Sequence, residues 1–354
     1  METNSTDTRS ETPTPEELKR LYELAAEIKK LAPWRWMEED DVFGVQNPET
    51  NEIGFVSIMG QLAEHTAVAV YIGARGLYGF LDLQEAELAV DPFALLDIPQ
   101  LQLSFEDRES LEKRDRDDIK RLGLKFRGAG SYPLFRSIGS GFLPWFITSD
   151  EARFLIYALE QTLEVAPRFE QDPNILTVEE EDDPDGDIYL LRVAKSEGDA
   201  LVWVDEMRKI REPEPERISF DISKEMLDRL KEYPQNNKLI FEVDLFRGPT
   251  PVLNSENRPF VPKMLMVAER NSRMVLGGKF LEPTETTAKL VEAVAASLFK
   301  IWAEHRVIPK EILVGSDLVY GILRRFSQKL NTTLQQTDDL IAIDEACDDM
   351  FKSF

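Results

Sequence analysis

Two mixed α/β domains joined by a short linker are the fold class this sequence predicts, and three observations predict it. At 354 residues the chain exceeds the length at which a single core usually stops growing. Short runs rich in β-branched and aromatic residues alternate with amphipathic segments of helical period. The stretch 212–216 (EPEPE) is polar, stiff and extended, which suits a connector between two cores. The expected division is a disordered tail over 1–13, an acidic α+β domain with an antiparallel sheet over 14–210, a linker over 211–217 and a second domain over 218–354.

The first ordered element is a helix opening at Thr14. Pro15, Glu16 and Glu17 suit a helix start, and Leu18, Leu21, Tyr22, Ala25, Ile28 and Leu31 recur on one face until Pro33. Segments 42–45, 53–58 and 67–72, with a turn over 47–51, then read as a meander. A helix over 74–88, a strand over 101–105 and a charged, solvated helix over 109–121 follow. Strands 134–138 and 142–147 form a hairpin across Gly139 and Gly141. Ser149, Asp150 and Glu151 open a helix carrying Phe154, Leu155, Ala158, Leu159, Leu163 and Ala166, which Pro167 is expected to end. Alternating segments 188–193 and 200–204 close this half.

In the second half, 238–246 (KLIFEVDLF) is a strand, and 263–268 with 274–281 form a hairpin across Asn271 and Ser272. Thr284 is the expected cap of a long helix with Leu290, Val291, Val294, Leu298, Ile301 and Trp302 on one face. A strand at 311–314, a helix lined by Ile322, Leu323, Phe326 and Leu330, a strand at 332–336 and a helix over 344–352 complete it. Strands joined through single helices imply parallel pairing with right-handed crossovers.

Composition narrows the function classes. A 42% hydrophobic and 31% charged chain is that of a globular protein, and the longest apolar runs are too short to span a bilayer, so no membrane association is expected. One cysteine, Cys347, fits a reducing compartment, so the expected location is cytoplasmic. The net charge of −24 is uneven: residues 1–217 hold 46 acidic and 24 basic side chains, and 218–354 hold 20 and 18. Such charge argues against nucleic acid as a partner.

Several apparent motifs dissolve on spacing. The cluster 179–187 (EEEDDPDGD) lacks the ligand spacing and closing Glu of a calcium loop, so it reads as a solvated loop. The glycines of 127–131 and 138–141 lack the Lys-Ser or Lys-Thr pair of a phosphate loop. His65 and His305 have no metal-spaced partner. Trp34, Trp36 and Trp145 suit a core better than a partner anchor.

Residues 238–352 carry the one constellation with chemistry. Asp244 lies in the first strand (FEVDLF), Asp317 follows the fourth (ILVGSD), and Glu345 lies in the last helix (IDEACDD). This order resembles the RNase H-like superfamily of integrases and transposases. The resemblance implies a mixed sheet of three antiparallel strands followed by helix-strand-helix-strand-helix. It also implies that Asp244, Asp317 and Glu345 are the catalytic residues and the ligands of Mg²⁺ or Mn²⁺ in phosphoryl transfer. Over its whole length the chain resembles a family of uncharacterised bacterial two-domain proteins, through LYELAAEIKKLAPWRWMEEDDVFGVQNPETNEIGF and PFVPKMLMVAERNSRMVLGG.

A near-neutral domain tethered to an acidic one offers no basic channel for phosphates, so the expectation is a degenerate RNase H-like domain. The first functional expectation is thus a noncatalytic module binding a protein partner, with no cofactor. The second is a divalent-metal nuclease or phosphoryl-transfer enzyme using Asp244 and Asp317, with Glu345 or a neighbour as the third ligand. The third is an acidic nucleic-acid mimic that occupies a basic protein surface.

Overall fold

The computed structural model describes residues 12–61, 65–85, 93–139, 141–176, 187–198, 200–214, 220, 223–284 and 286–352. Most of the expected tail, the acidic cluster at 179–187 but for its last residue, and the linker beyond 214 lie outside them. Two compact units divide the chain: 1–139 with 144–213, and 140–143 with 214–354.

The first unit is built from α1 (Pro15–Leu31), β1 (Phe43–Gln46), β2 (Ile53–Met59), β3 (Ala67–Ile72), α2 (Gly73–Glu85), β4 (Gln100–Glu106), α3 (Lys113–Arg121) and β5 (Tyr132–Gly139). A short strand, β6 (Phe142–Trp145), has its first two residues in the second unit and its last two in the first, and α4 (Ser149–Gln171), β7 (Ile188–Glu197) and β8 (Ala200–Lys209) complete the first unit. Its strands run in the order β5-β4-β3-β2-β1-β7-β8. Alternation places Val56, Ile58, Val68 and Val70 on the face covered by α1 and α4, and Phe55, Ala69 and Tyr71 on the face covered by α2. Thr14 caps α1 in a capping box with Glu17, and Asn51, at φ 64°, makes the turn between β1 and β2.

Three expectations for this unit are corrected. The sheet is mixed, because β1 pairs with β7 in parallel through Gly44 opposite Leu191 and Val45 opposite Arg192. The chain arrives at β7 after the long helix α4, which permits parallel entry where a tight turn would not. Pro167 does not end α4, which continues to Gln171. A proline removes a single amide donor, and Val165 and Ala166 before it and Phe169 beyond it stay buried, so packing outweighs the lost bond. The segment read as a solvated helix becomes α3, which buries Asp115 and Ile119.

The second unit holds α5 (Lys224–Lys231), β9 (Gln235–Arg247), β10 (Val252–Leu253), β11 (Pro259–Phe260), β12 (Lys263–Glu269), β13 (Met274–Leu281), α6 (Thr287–His305), β14 (Ile308–Val314), α7 (Asp317–Leu330), β15 (Thr333–Gln336) and α8 (Ile341–Phe351). Its five-stranded sheet runs β13-β12-β9-β14-β15. β12 is antiparallel to both β9 and β13, while β14 is parallel to both β9 and β15. Phe241, Val243, Leu265 and Ile312 pack with α6 and α7, where Trp302 and Phe326 stack at 4.6 Å. Met264, Met266, Leu340, Ala342 and Ile343 form a smaller core under α8. The cap of α6 is Thr286, whose side chain accepts from Lys289, and Thr284 instead donates to the Thr286 carbonyl. Both units are mixed α/β, with two open mixed sheets and eight α-helices among the described residues. No described helix is long and apolar enough to cross a membrane.

Candidate functional site

Strand alternation along β9 sends Phe241 and Val243 into the larger core and Glu242 and Asp244 to the opposite face, toward α8. Glu242 is fully buried on that face. Its Oε2 accepts from the backbone N–H groups of Ala342 (2.7 Å) and Ile343 (3.1 Å), and its Oε1 accepts from Arg270 Nη1 at 2.7 Å. Leu340, the residue flanking α8, makes no side-chain cap. A carboxylate from a neighbouring strand therefore satisfies the open amides of the last helix, with its charge matched by Arg270 and by the helix dipole. Arg270 reaches on to the Asp339 carbonyl (2.7 Å) and carboxylate (2.6 Å). Three hydrogen bonds thus commit Glu242 to architecture.

Asp244 is two residues further along, where β9 meets the loop between β14 and α7. Its Oδ1 accepts from the Leu245 backbone at 2.8 Å, and the Ser316 backbone N–H donates to the same carboxyl. The carboxylate lies so close to Gly315 that a Cβ there would stand 2.9 Å from Oδ1, which explains why the position takes glycine. Burial raises the carboxyl above its ordinary range, the two backbone donors oppose the rise, and Asp344 and Asp338 add to it. Cys347 shares this surrounding: burial, then Asp344, Asp244 and Asp348, push its thiol up to about 11, which keeps it protonated.

Asp317 and Glu345 have other engagements. Ser316 caps α7 by accepting from Val319, so Asp317 is the first helical residue, where its charge suits the dipole. It is exposed, and its Oδ1 accepts from Gln336 Nε2 at 2.6 Å. Glu345 is 61% exposed and stands 3.4 Å from Arg273 Nε at the turn between β12 and β13. The acid of α8 that bears on Asp244 is Asp344, its neighbour in sequence. Among the described residues no group of three or more His, Cys, Asp or Glu side chains could hold a metal ion. Asp244, Asp317 and Glu345, each held by a different partner, do not fit a two-metal centre.

The sequence places Glu242 on the strand face of Asp244 and allows a neighbour of Glu345 in the last helix, but it singles out neither Asp344 nor Arg270 and gives Glu242 no role. A signal existed for two of them. Glu242 shares its strand parity with Asp244, and Asp344 lies at helical spacing from Cys347 and Asp348, whereas Glu345 lies a hundred degrees around the helix. Arg270, beyond a strand end, gave none. Trp34 and Trp36 pack against the first core, and Trp36 Nε1 donates to the Ala166 carbonyl at 3.0 Å.

Comparison with protein families places these features in two blocks. Residues 19–184 are similar to the family described as Domain of unknown function (DUF7309), and residues 226–351 to Domain of unknown function (DUF6930). The two matches in tandem fit an uncharacterised two-domain family. No curated protein matches the chain.

Proposed function

We propose that this chain is a noncatalytic protein-interaction module whose C-terminal domain is a degenerate RNase H-like fold. The observation that carries the interaction is β13, the edge strand of the second sheet, which leaves Met274, Val275 and Phe280 between 45% and 57% exposed. Large apolar side chains gathered on a strand edge are what a sheet offers to an added strand, and an isolated protein gains nothing by presenting them. The partner this edge suits is an extended apolar segment of another protein. A photo-reactive residue in place of Phe280 should capture one discrete species in the cell, and Met274→Lys with Val275→Lys should abolish that capture. An unchanged yield would count against the edge.

Support for the fold comes from the strand order, third-second-first-fourth-fifth with the second antiparallel, together with an acid in the central strand. Support for the loss of catalysis comes from the other acids: Glu345 is turned to Arg273, and Glu242 is committed to α8. A divalent-metal reading would rest on Asp244 alone, whose carboxyl is raised by burial and raised further by Asp344 and Asp338. Calorimetric titration with Mn²⁺ separates the two. No saturable heat is expected from the wild type or from Asp244→Asn. Saturable binding that Asp244→Asn removes would overturn the noncatalytic reading.

A further inference from the structure

The first unit contains a basic cavity that runs against the net charge of the N-terminal part of the chain. Residues 1–217 carry 46 acidic and 24 basic side chains, yet a cavity of about 520 Å³ beside α3 is lined by Arg108, Arg116, Lys120, Lys125 and Arg127, with Asp117 as the one acid. Its floor is apolar: Leu111 and Ile119 are buried, and the rings of Phe126 and Tyr132 meet edge to face at 5.9 Å. The volume falls in the range of sites for small organic ligands.

The backbone that shapes this cavity is specified locally. Gly123, at φ 70°, ends α3 by donating to the Lys120 carbonyl, while Leu124 donates to that of Ile119. This paired termination turns the chain back, so that 124–127 faces the helix it has just left. The cations of this region divide by what they do. Arg114 lies over the Phe146 ring at 4.4 Å, and Arg121 pairs with Asp118 at 2.9 Å. Arg116 donates to the Leu111 carbonyl at 2.7 Å. Arg108, Lys120, Lys125 and Arg127 have no ion pair with any described carboxylate. Within a chain so rich in acids, four such cations around one opening repel one another, and a multiply charged anion would relieve that repulsion.

We propose that this cavity binds a small phosphorylated molecule carrying a flat ring, a nucleotide in chemical class. Phosphates suit a rim of Arg and Lys, and a ring suits the floor of Phe126 and Tyr132. Small size follows from the cavity, since about 520 Å³ is room for a single nucleotide and not for a polymer of phosphates.

The test uses the full-length protein and fluorescent N-methylanthraniloyl-ATP at about 50 mM salt, where the Debye length is still above 10 Å. One saturable site is expected, displaced by unlabelled ATP and by pyrophosphate. Lys125→Glu with Arg127→Glu should weaken it at least tenfold. Lys300→Glu with Arg324→Glu changes the total charge equally on exposed positions elsewhere and should alter it less than twofold. If circular dichroism shows that the first pair melts early, Lys120→Ala carries the test, with a three- to tenfold loss expected. Absence of saturable binding, equal losses in the two charge-reversal pairs, or displacement by adenosine but not by pyrophosphate would each overturn the assignment.

Discussion

Arg136 and Asp115 show how much a single residue contributes once it is enclosed. The guanidinium makes two hydrogen bonds to the carboxylate, at 2.9 and 2.7 Å, with both side chains less than a tenth exposed and the Phe146 ring over the cation at 4.6 Å. Removing one partner strands a buried charge, so Asp115→Ala should cost about 3–5 kcal/mol in urea unfolding. Replacing both by apolar residues of similar volume should recover most of that loss, and a single-variant cost under about 1 kcal/mol would place the pair in solvent instead. Asp244 makes the opposite prediction. Its carboxyl is raised in the folded state, so stability is unaffected below the unfolded value of about 3.9 and falls as pH rises through the folded value. Asp244→Asn removes that loss while keeping an oxygen for the Leu245 and Ser316 amides. Its melting midpoint should therefore exceed that of the wild type at pH 7 and match it near pH 3. An equal difference at both values would show that ionisation is not the cause. The sequence marked Asp244, because an acid in a strand needs partners. It did not mark Asp115, since nothing in KRDRDDIKR tells which of its acids faces inward.

At the scale of elements, α8 is held from outside itself. Its own flanking residue provides no cap, and Glu242 of β9 supplies the acceptor from a hundred residues away. Glu242→Ala should cost about 3–5 kcal/mol and release α8 first, seen as faster amide exchange over Ile341–Phe351 than over α6. Glu242→Gln, which keeps the shape and loses the charge, should fall between. Uniform acceleration in both helices would mean that Glu242 supports the whole unit and not this helix. Helices with internal signals behaved differently. The capping box at Thr14 and the apolar face of α6 were legible, because those features lie within a few residues of one another. Pro167 was misleading for the same reason: a local rule predicted a stop, and burial on both sides of the proline carried α4 through it.

For the whole molecule, charge is the property with the broadest consequence. A net charge of −24 concentrated in the first part of the chain means that the folded state works against its own repulsion. Raising salt from about 10 to 150 mM shortens the screening length from roughly 30 to 8 Å and should raise the thermal midpoint. A flat or falling midpoint over that range would mean that local ion pairs, such as Arg153 with Glu17, Glu49 and Asp150, already compensate. Each unit has its own core, with helices on both faces of its sheet, so composition and length sufficed to predict two mixed domains. Parallel entry of β7 did not follow from any local pattern.

By itself the sequence determined that both halves mix helices and strands, most helix and strand positions, and the placing of an acid within a strand of the second half. These are properties of spacing and composition, which act over a turn or a strand pair. Tertiary structure alone decided that Glu242 serves α8, that Asp344 is the acid of α8 whose charge acts on Asp244, and that four cations of an acidic domain gather around one cavity. Those outcomes depend on which distant segments meet. A burial pattern tells that a side chain turns inward, and only the fold tells what it finds there.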